Sequence, residues 1–383
     1  MDDLAEHSEW VDPGEARPGL GLALFHGAEV RPSRRRGRGA QSNATGRVEK
    51  DLRTNFDDGW EIEEDERRLR TEVTDEPART IITRNDSPDI SFDRSINPYR
   101  GCEHGCIYCY ARPTHCYLGH SAGLDFETKL YAKPEAAVLL EKELAAKGYE
   151  PKTIALGTNT DPYQPIERER RITRSILEVL ERTGHPVGIV TKSALVVRDI
   201  DILSRMAKRG LAKVALSVTT LDRHVARRME PRASAPGRRL EAVRALSEAG
   251  IPAAVMVAPI VPALNDHEIE RILEAAAAAG AREAGYVLLR LPLELKVLFR
   301  EWLLAEFPDR AERVLGLLQS MHGGRDYQAA FGHRQRGRGP YADQIALRFR
   351  LALKRIGLNQ RREVLRTDLF VPPVPEGGQM RLL

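Results

Sequence analysis

From about Thr80 to residue 310 the chain repeats one pattern: a short apolar run, a polar turn, a helix with one apolar face, and a glycine. Ile81-Ile82 and Ile90-Ser91-Phe92 alternate apolar and polar positions, which predicts a first strand. Thr153 to Leu156, Val187 to Val190, Val214 to Val218, Ala253 to Val257 and Tyr286 to Leu289 are near-continuous apolar runs of strand length. Between them, Pro134 to Lys147 opens with proline and closes at Gly148, which suits helix ends. Ile172, Ile176 and Leu180 lead to Gly184, and Ile202, Leu203 and Met206 to Gly210. Leu240, Val243 and Leu246 lead to Gly250, and Ile269, Ile272, Leu273 and Ala276 to Gly280. Continuous apolar strands alternating with helices predict a parallel sheet covered on both faces. Six such units fall short of a closed eight-unit barrel, so the expected class is α/β, a partial (β/α)6 TIM-like barrel. A doubly wound open sheet is the alternative, but the Gly-rich dinucleotide fingerprint after the first strand is absent.

The flanks differ from this core. Residues 1–79 read as a largely disordered arm and linker, first basic through Ser33-Arg34-Arg35-Arg36-Gly37-Arg38-Gly39, then acidic from Asp57 to Glu66. Residues 80–310 form the predicted barrel, and 311–383 a helical, Arg-rich extension. No apolar run approaches the roughly 20 residues of a membrane span, and Met1 to His7 is too polar for a signal peptide. Four cysteines, three of them clustered, do not form a disulfide framework, so a reducing, cytoplasmic location is expected. The net charge of +4 over 383 residues neither demands nor excludes nucleic acid.

The chemistry concentrates in Gly101-Cys102-Glu103-His104-Gly105-Cys106-Ile107-Tyr108-Cys109-Tyr110. Three thiolates on one loop can hold three corners of an iron–sulfur cube, leaving one iron open for chemistry. The rival reading is a zinc site in a non-catalytic nucleic-acid-binding module, with Cys116, His104, His115 or His120 as fourth ligand. No second Cys pair or His-x3-His follows to complete a finger.

In a barrel, the polar residues just past each strand face the same centre as this loop. Leu156 is followed by Gly157-Thr158-Asn159-Thr160-Asp161-Pro162-Tyr163-Gln164-Pro165. Gly157 lets backbone approach a ligand, and the next four residues offer acceptors, although the same run makes a good turn and helix cap. Thr191-Lys192 places a cation able to pair with a carboxylate, and Ser217, Thr219 and Thr220 offer hydroxyls.

Arg100-Gly101-Cys102, Cys106, Tyr108-Cys109-Tyr110, Gly157-Thr158, Thr160 to Pro165, Glu167 and Thr191-Lys192 together resemble the spore photoproduct lyase branch of the radical S-adenosylmethionine (radical SAM) superfamily. Within it, Gly37 to Ala40, Ala111 to His115 and Ser121 to Glu127 are similar to an uncharacterised bacterial group, over roughly residues 37–357. The resemblance implies a [4Fe–4S] cluster on Cys102, Cys106 and Cys109, and S-adenosylmethionine contacted by Tyr108, Thr158, Thr160, Asp161, Lys192 and Ser217. It implies reductive cleavage of S-adenosylmethionine, hydrogen abstraction from a substrate, and an electron donor such as flavodoxin or ferredoxin. The lyases return hydrogen from a cysteine well downstream of the cluster; here none lies beyond Cys116, which could serve as a donor, although a buried bystander is the plainer reading.

Arg334 to Tyr341 and the helix carrying Arg348, Arg350, Lys354 and Arg355 form a second Arg-rich segment. Arginines that release counterions and a stacking Tyr341 would suit nucleic acid, and radical-based DNA repair or nucleic-acid modification is the alternative function; a solvated charged face is the plainer reading.

Overall fold

The computed structural model describes residues 30–49 and 68–374. Its strands are β1 (Glu72–Asp75), β2 (Ile82–Arg84), β3 (Arg94–Ile96), β4 (Tyr99–Arg100), β5 (Lys129–Ala132), β6 (Ile154–Leu156), β7 (Val187–Thr191), β8 (Ala212–Ser217), β9 (Ala253–Ile260) and β10 (Glu283–Leu288). The main sheet runs β10-β9-β8-β7-β6-β3-β2. Every neighbour pairs parallel except β2, which lies antiparallel on β3. Six parallel strands are therefore present, five of them on the predicted apolar runs; the sixth, β3, is not among those runs, and Ile82 of the expected first strand lies on antiparallel β2. The sheet falls short of closure: β2 and β10 remain edges.

Helices follow the strands and cover the outer face: α1 (Ala136–Leu144), α2 (Ile172–Arg182), α3 (Ile200–Lys208), α4 (Pro236–Glu248) and α5 (Ile269–Ala278). The apolar stripe of α2, Ile172, Ile176 and Leu180, is buried, and β7 buries Val187 and Ile189 while Gly188 and Val190 are partly open. Three more helices, α6 (Leu295–Glu306), α7 (Pro308–Met321) and α8 (Pro340–Ile356), follow β10, and α8 packs along α5.

Two expectations change. Ile90-Ser91-Phe92 is not a strand; the residues lie in the hairpin loop joining β2 to β3, because Pro88 and the Asn85-Asp86-Ser87 run favour a turn. Order also begins earlier than Thr80. β1 pairs parallel with β5, and within residues 30–49 Arg38, Ala40, Ser42 and Ala44 are buried. That part of the supposed disordered basic arm is folded because its polar groups find buried partners. The acidic block Asp57 to Glu66 lies outside the described residues.

A second sheet, β1-β5-β4, prepares the site. β4 ends at Arg100 and β5 begins at Lys129, and the two pair antiparallel with Tyr99 opposite Ala132 and Arg100 opposite Tyr131. The ladder continues into the cysteine segment, where the Cys102 N–H donates to the Phe126 carbonyl at 2.9 Å. Both ends of the segment 101–128 are thus held side by side.

Candidate active site

The cysteine loop leaves β4 just beyond the carboxyl ends of the parallel strands. Cys102 and Cys106 are buried and Cys109 is partly exposed. Burial raises the Cys102 thiol well above its ordinary range, with Asp161, Cys106 and Cys109 adding to it. Cys106 is pushed up to about 12 by burial, Glu230 and Cys109, against Lys192 and Arg239. The three sulfurs therefore feel one another, and thiolates so placed need a cationic partner, which an iron–sulfur cluster supplies. The donor set fits such a cluster.

The zinc alternative fares differently. Cys116 is buried against Gly46, with Arg47 and Glu294 as its charged neighbours, and burial pushes its thiol up to about 12. His115 Nε2 bonds the Lys129 carbonyl at 2.9 Å, His120 Nε2 the Tyr131 hydroxyl at 2.6 Å, and His104 Nδ1 stands 3.4 Å from Asp161 Oδ2. Among the described residues no three His, Cys, Asp or Glu side chains converge on a single-ion site. A cube spreads its three thiolates more widely than one ion does.

A buried ion pair shapes the loop. Arg112 donates to the carbonyls of Cys106 at 2.9 Å, Ala122 at 3.1 Å, Gly123 at 2.9 Å and Gly105 at 3.2 Å, and to Glu127 at 2.6 Å. Its five donors are used, so the guanidinium acts as a template around which the chain folds. Glu127 in turn accepts from the N–H groups of Gly39 at 2.9 Å and Ala40 at 2.8 Å. A Cβ on Gly39 would lie 1.9 Å from the Gly105 carbonyl oxygen, so only glycine allows this approach.

The rim residues expected to meet the cofactor are placed as follows. Asp161 accepts from the Thr191 hydroxyl at 2.6 Å, the Tyr163 N–H at 2.9 Å and the Lys192 N–H at 2.7 Å. Burial opposes its charge, but His104 and these donors outweigh burial and hold the carboxyl at about 2. It joins the β6 end, the β7 end and the cysteine loop. The Thr160 hydroxyl donates to the Tyr99 carbonyl at 2.9 Å, and the Thr158 carbonyl accepts from the Tyr110 hydroxyl. Gly157 lets the chain approach not a ligand but the β7 backbone: a Cβ there would meet the Val190 oxygen at 1.9 Å. Lys192 Nζ sits 5.6 Å from the Tyr108 ring centre, and the Ser217 carbonyl accepts from Arg239 at 2.9 Å.

Three buried groups escape a reading of the sequence. Gln164 clamps the loop, accepting from the Glu103 N–H at 2.9 Å and donating to the Gly101 carbonyl at 3.2 Å. Glu230 accepts from Tyr108, from Arg239 and from Thr219, the last at 2.5 Å, and so fixes the Tyr108 ring. Burial opposes the Glu230 charge, and Arg239 and Lys192 reverse that and lower its pKa. The Arg112–Glu127 pair is the third, and the segments Ala111 to His115 and Ser121 to Glu127, which carry the family resemblance, were its one sequence signal.

Residues 96–276 match the family model described as the Radical SAM superfamily. An uncharacterized protein of Mycobacterium tuberculosis is 36% identical over 226 residues, which cover 58% of this chain and 66% of that protein's length. A radical SAM Nalpha-GlyT isomerase of Pseudomonas phage M6 is 26% identical over 199 residues, 49% of this chain and 39% of the isomerase. In architecture the chain is similar to spore photoproduct lyase complexed with dinucleoside spore photoproduct, with a TM-score of 0.53 at 19% identity over 74% of this chain and 79% of the lyase.

Proposed function

Because this chain belongs to the radical SAM superfamily through its residues 96–276, whose members use a [4Fe–4S] cluster and S-adenosylmethionine, we propose that Cys102, Cys106 and Cys109 hold the cluster of a radical SAM enzyme. The observation that carries this is the clamped loop, held by Arg112 and Gln164, that brings two buried cysteines and one partly exposed cysteine together. When bound, the cluster would supply the electron for reductive cleavage of S-adenosylmethionine and, with it, radical chemistry able to abstract a hydrogen atom from a substrate. The chain's own residues bind and orient. Lys192 offers a cation beside Tyr108 for a carboxylate, Tyr108 offers its face to the adenine, and Ser217 and Thr158 line the strand ends. Asp161 and Thr160 act by positioning, since their side chains hold the backbone of neighbouring strands. Cys116, wrapped by Gly46, Arg47 and Glu294, is assigned to packing rather than hydrogen return. The electron donor is a flavodoxin or ferredoxin, as for a cytoplasmic enzyme; no described helix is long and apolar enough to cross a membrane.

A second reading, radical modification or repair of nucleic acid, has support in the names of the phage isomerase and of the lyase bound to a dinucleoside photoproduct. Two of the three α8 arginines are already engaged, Arg348 with Glu270 and Arg355 with Glu274, and the Tyr341 hydroxyl is tied to Asp266 at 2.6 Å.

Anaerobic reconstitution of the chain is expected to give about four irons per chain and 5′-deoxyadenosine under dithionite, both lost in Cys106→Ala. Fewer than about three irons, or no 5′-deoxyadenosine, overturns the assignment.

A further inference from the structure

At the open side of the sheet, the hairpin loop beyond β2 meets the segment that lies along β10 through Asp89 and Ser87. Asp89, in the hairpin loop 85–93, accepts through Oδ1 from the Gly332 N–H at 2.6 Å and through Oδ2 from Arg334 Nε at 2.5 Å. Arg334 also donates to Ser87 Oγ at 2.5 Å. The Gln335 carbonyl accepts from the Leu288 N–H at 2.9 Å, so this segment lies along the free edge of β10. The Asp89 side chain is only 9% exposed, and the Gly332 N–H with Arg334 and Arg290 holds its carboxyl below the usual range.

The groups around Asp89 are those of an oxyanion site: a glycine N–H at a left-handed φ of 77°, one guanidinium in contact and a second, Arg290, near enough for its charge to act on the carboxylate. Two carboxylate oxygens leave that second guanidinium on Tyr110, with its carbon 4.3 Å from the ring centre. A phosphate would bring a third oxygen. Tyr110 directly follows Cys109, and Arg334 covers the ring of Phe331 at 4.6 Å. Both rings keep much of their surface open, 43% for Tyr110 and 55% for Phe331, so flat apolar faces border the charge.

We propose that Gly332, Arg334 and Arg290 form a site for a phosphate group of the substrate at the open side of the barrel, that Asp89 fills this site in the free protein, and that the substrate phosphate displaces it. This rests on the reading of the cysteine loop as the reaction centre, which makes the open side the way in. The Asp89 contact then helps tie the hairpin loop to the segment along β10 until substrate arrives, and binding releases the loop.

The test uses the reconstituted full chain, anaerobic and without S-adenosylmethionine, titrated with a fluorescent single-stranded oligothymidylate. Parallel titrations use the same oligomer with uncharged methylphosphonate linkages, and glycerol 3-phosphate as competitor. Asp89→Asn is expected to bind the charged oligomer about tenfold tighter than wild type, with no gain for the uncharged one. Adding Arg334→Gln is expected to remove the gain. If glycerol 3-phosphate competes with the same gain, the source is a small phosphate ester; a gain confined to the oligomer makes it a phosphodiester strand. Unchanged or weaker binding by Asp89→Asn at an unchanged melting temperature, or a gain that survives Arg334→Gln, overturns the site. Should Asp89→Asn melt early, Arg290→Gln and Arg334→Gln alone carry the test: each must lose about tenfold in affinity, and unchanged affinity overturns the proposal. Binding is read without turnover, so a chain that fails to cleave S-adenosylmethionine still decides this question separately.

Discussion

The tetrapeptide Arg-Gly-Arg-Gly occurs twice, at 36–39 and at 336–339, with opposite fates. Arg38 is buried, donating to the Glu127 carbonyl at 2.8 Å, the Leu69 carbonyl at 3.1 Å and Thr71 Oγ1 at 2.9 Å. Arg338 is exposed and leans on His333. Gly39 is pressed against the Gly105 carbonyl, whereas Gly339 sits just ahead of α8 with its nearest foreign atom, the Ser320 oxygen, at 3.5 Å from a Cβ. Local composition is the same, so the difference comes from what waits at each place. The Glu127 carboxylate and carbonyl, the Leu69 carbonyl and the Thr71 hydroxyl meet the first copy; the Tyr286 ring, His333 and solvent meet the second. Arginine's fixed fork of donors makes it a template where acceptors converge and a solvated charge where they do not.

The sharpest break in this comparison is Glu127→Ala. It strands Arg112 without its counter-charge and frees the Gly39 and Ala40 N–H groups, so a loss of about 3–5 kcal/mol is expected in urea unfolding of the apoprotein. The matching change in the Arg-rich helix that follows the second copy, Glu270→Ala, removes the partner of partly exposed Arg348 and is expected to cost under about 1 kcal/mol. Equal losses would mean that the two regions are held alike.

Acid probes the same contrast. His115 is buried beside Phe126, and burial, aided by the charge of His120, lowers its pKa to about 4. The unfolded chain then binds the extra proton between the ordinary histidine value of about 6.5 and the folded value. Stability is fully present above pH 6.5 and falls by about 3 kcal/mol as the pH drops to the folded value. Urea midpoints for wild type and His115→Gln should therefore converge on acidification; parallel curves would show that His115 is not neutral in the folded protein.

Gly39→Ala comes next. The atom it meets is backbone, which no rotamer change relieves, so the cost is expected near the top of the roughly 1–3 kcal/mol of overpacking, with reduced iron retention after reconstitution. Gly37→Ala meets no atom within 4 Å, and its φ of 80° costs only the roughly 1–2 kcal/mol of a left-handed alanine, with iron retained.

The barrel was legible because its determinants are local: apolar runs at Ile154 to Leu156 or Val187 to Val190 state their burial in their own residues. The cysteine loop was legible as one segment for the same reason, since its spacing lies within ten consecutive residues. What stayed hidden depends on partners distant in the chain. Arg38 finds Glu127 89 residues away, and Tyr108 finds Glu230 122 residues away. Nothing in Arg-Arg-Arg-Gly-Arg-Gly announces such partners, so low local hydrophobicity was read as disorder. Asp161 was legible as important but not as internal: its acceptors suit an ammonium ligand, yet three neighbouring chain donors reach them first.

A last pair of changes separates the two copies most directly. Arg38→Ala removes three hydrogen bonds from a buried guanidinium, leaves the Glu127 and Leu69 carbonyls to find other donors, and is expected to cost about 2 kcal/mol. Arg338→Ala removes an exposed side chain whose loss water repairs, within about 0.5 kcal/mol. Both changes delete the same charge from the same tetrapeptide, so net charge and unfolded-state composition are matched between the variants. A difference in their urea midpoints reads the tertiary surroundings alone, and coincident midpoints would return residues 36–39 to the status of a solvated arm.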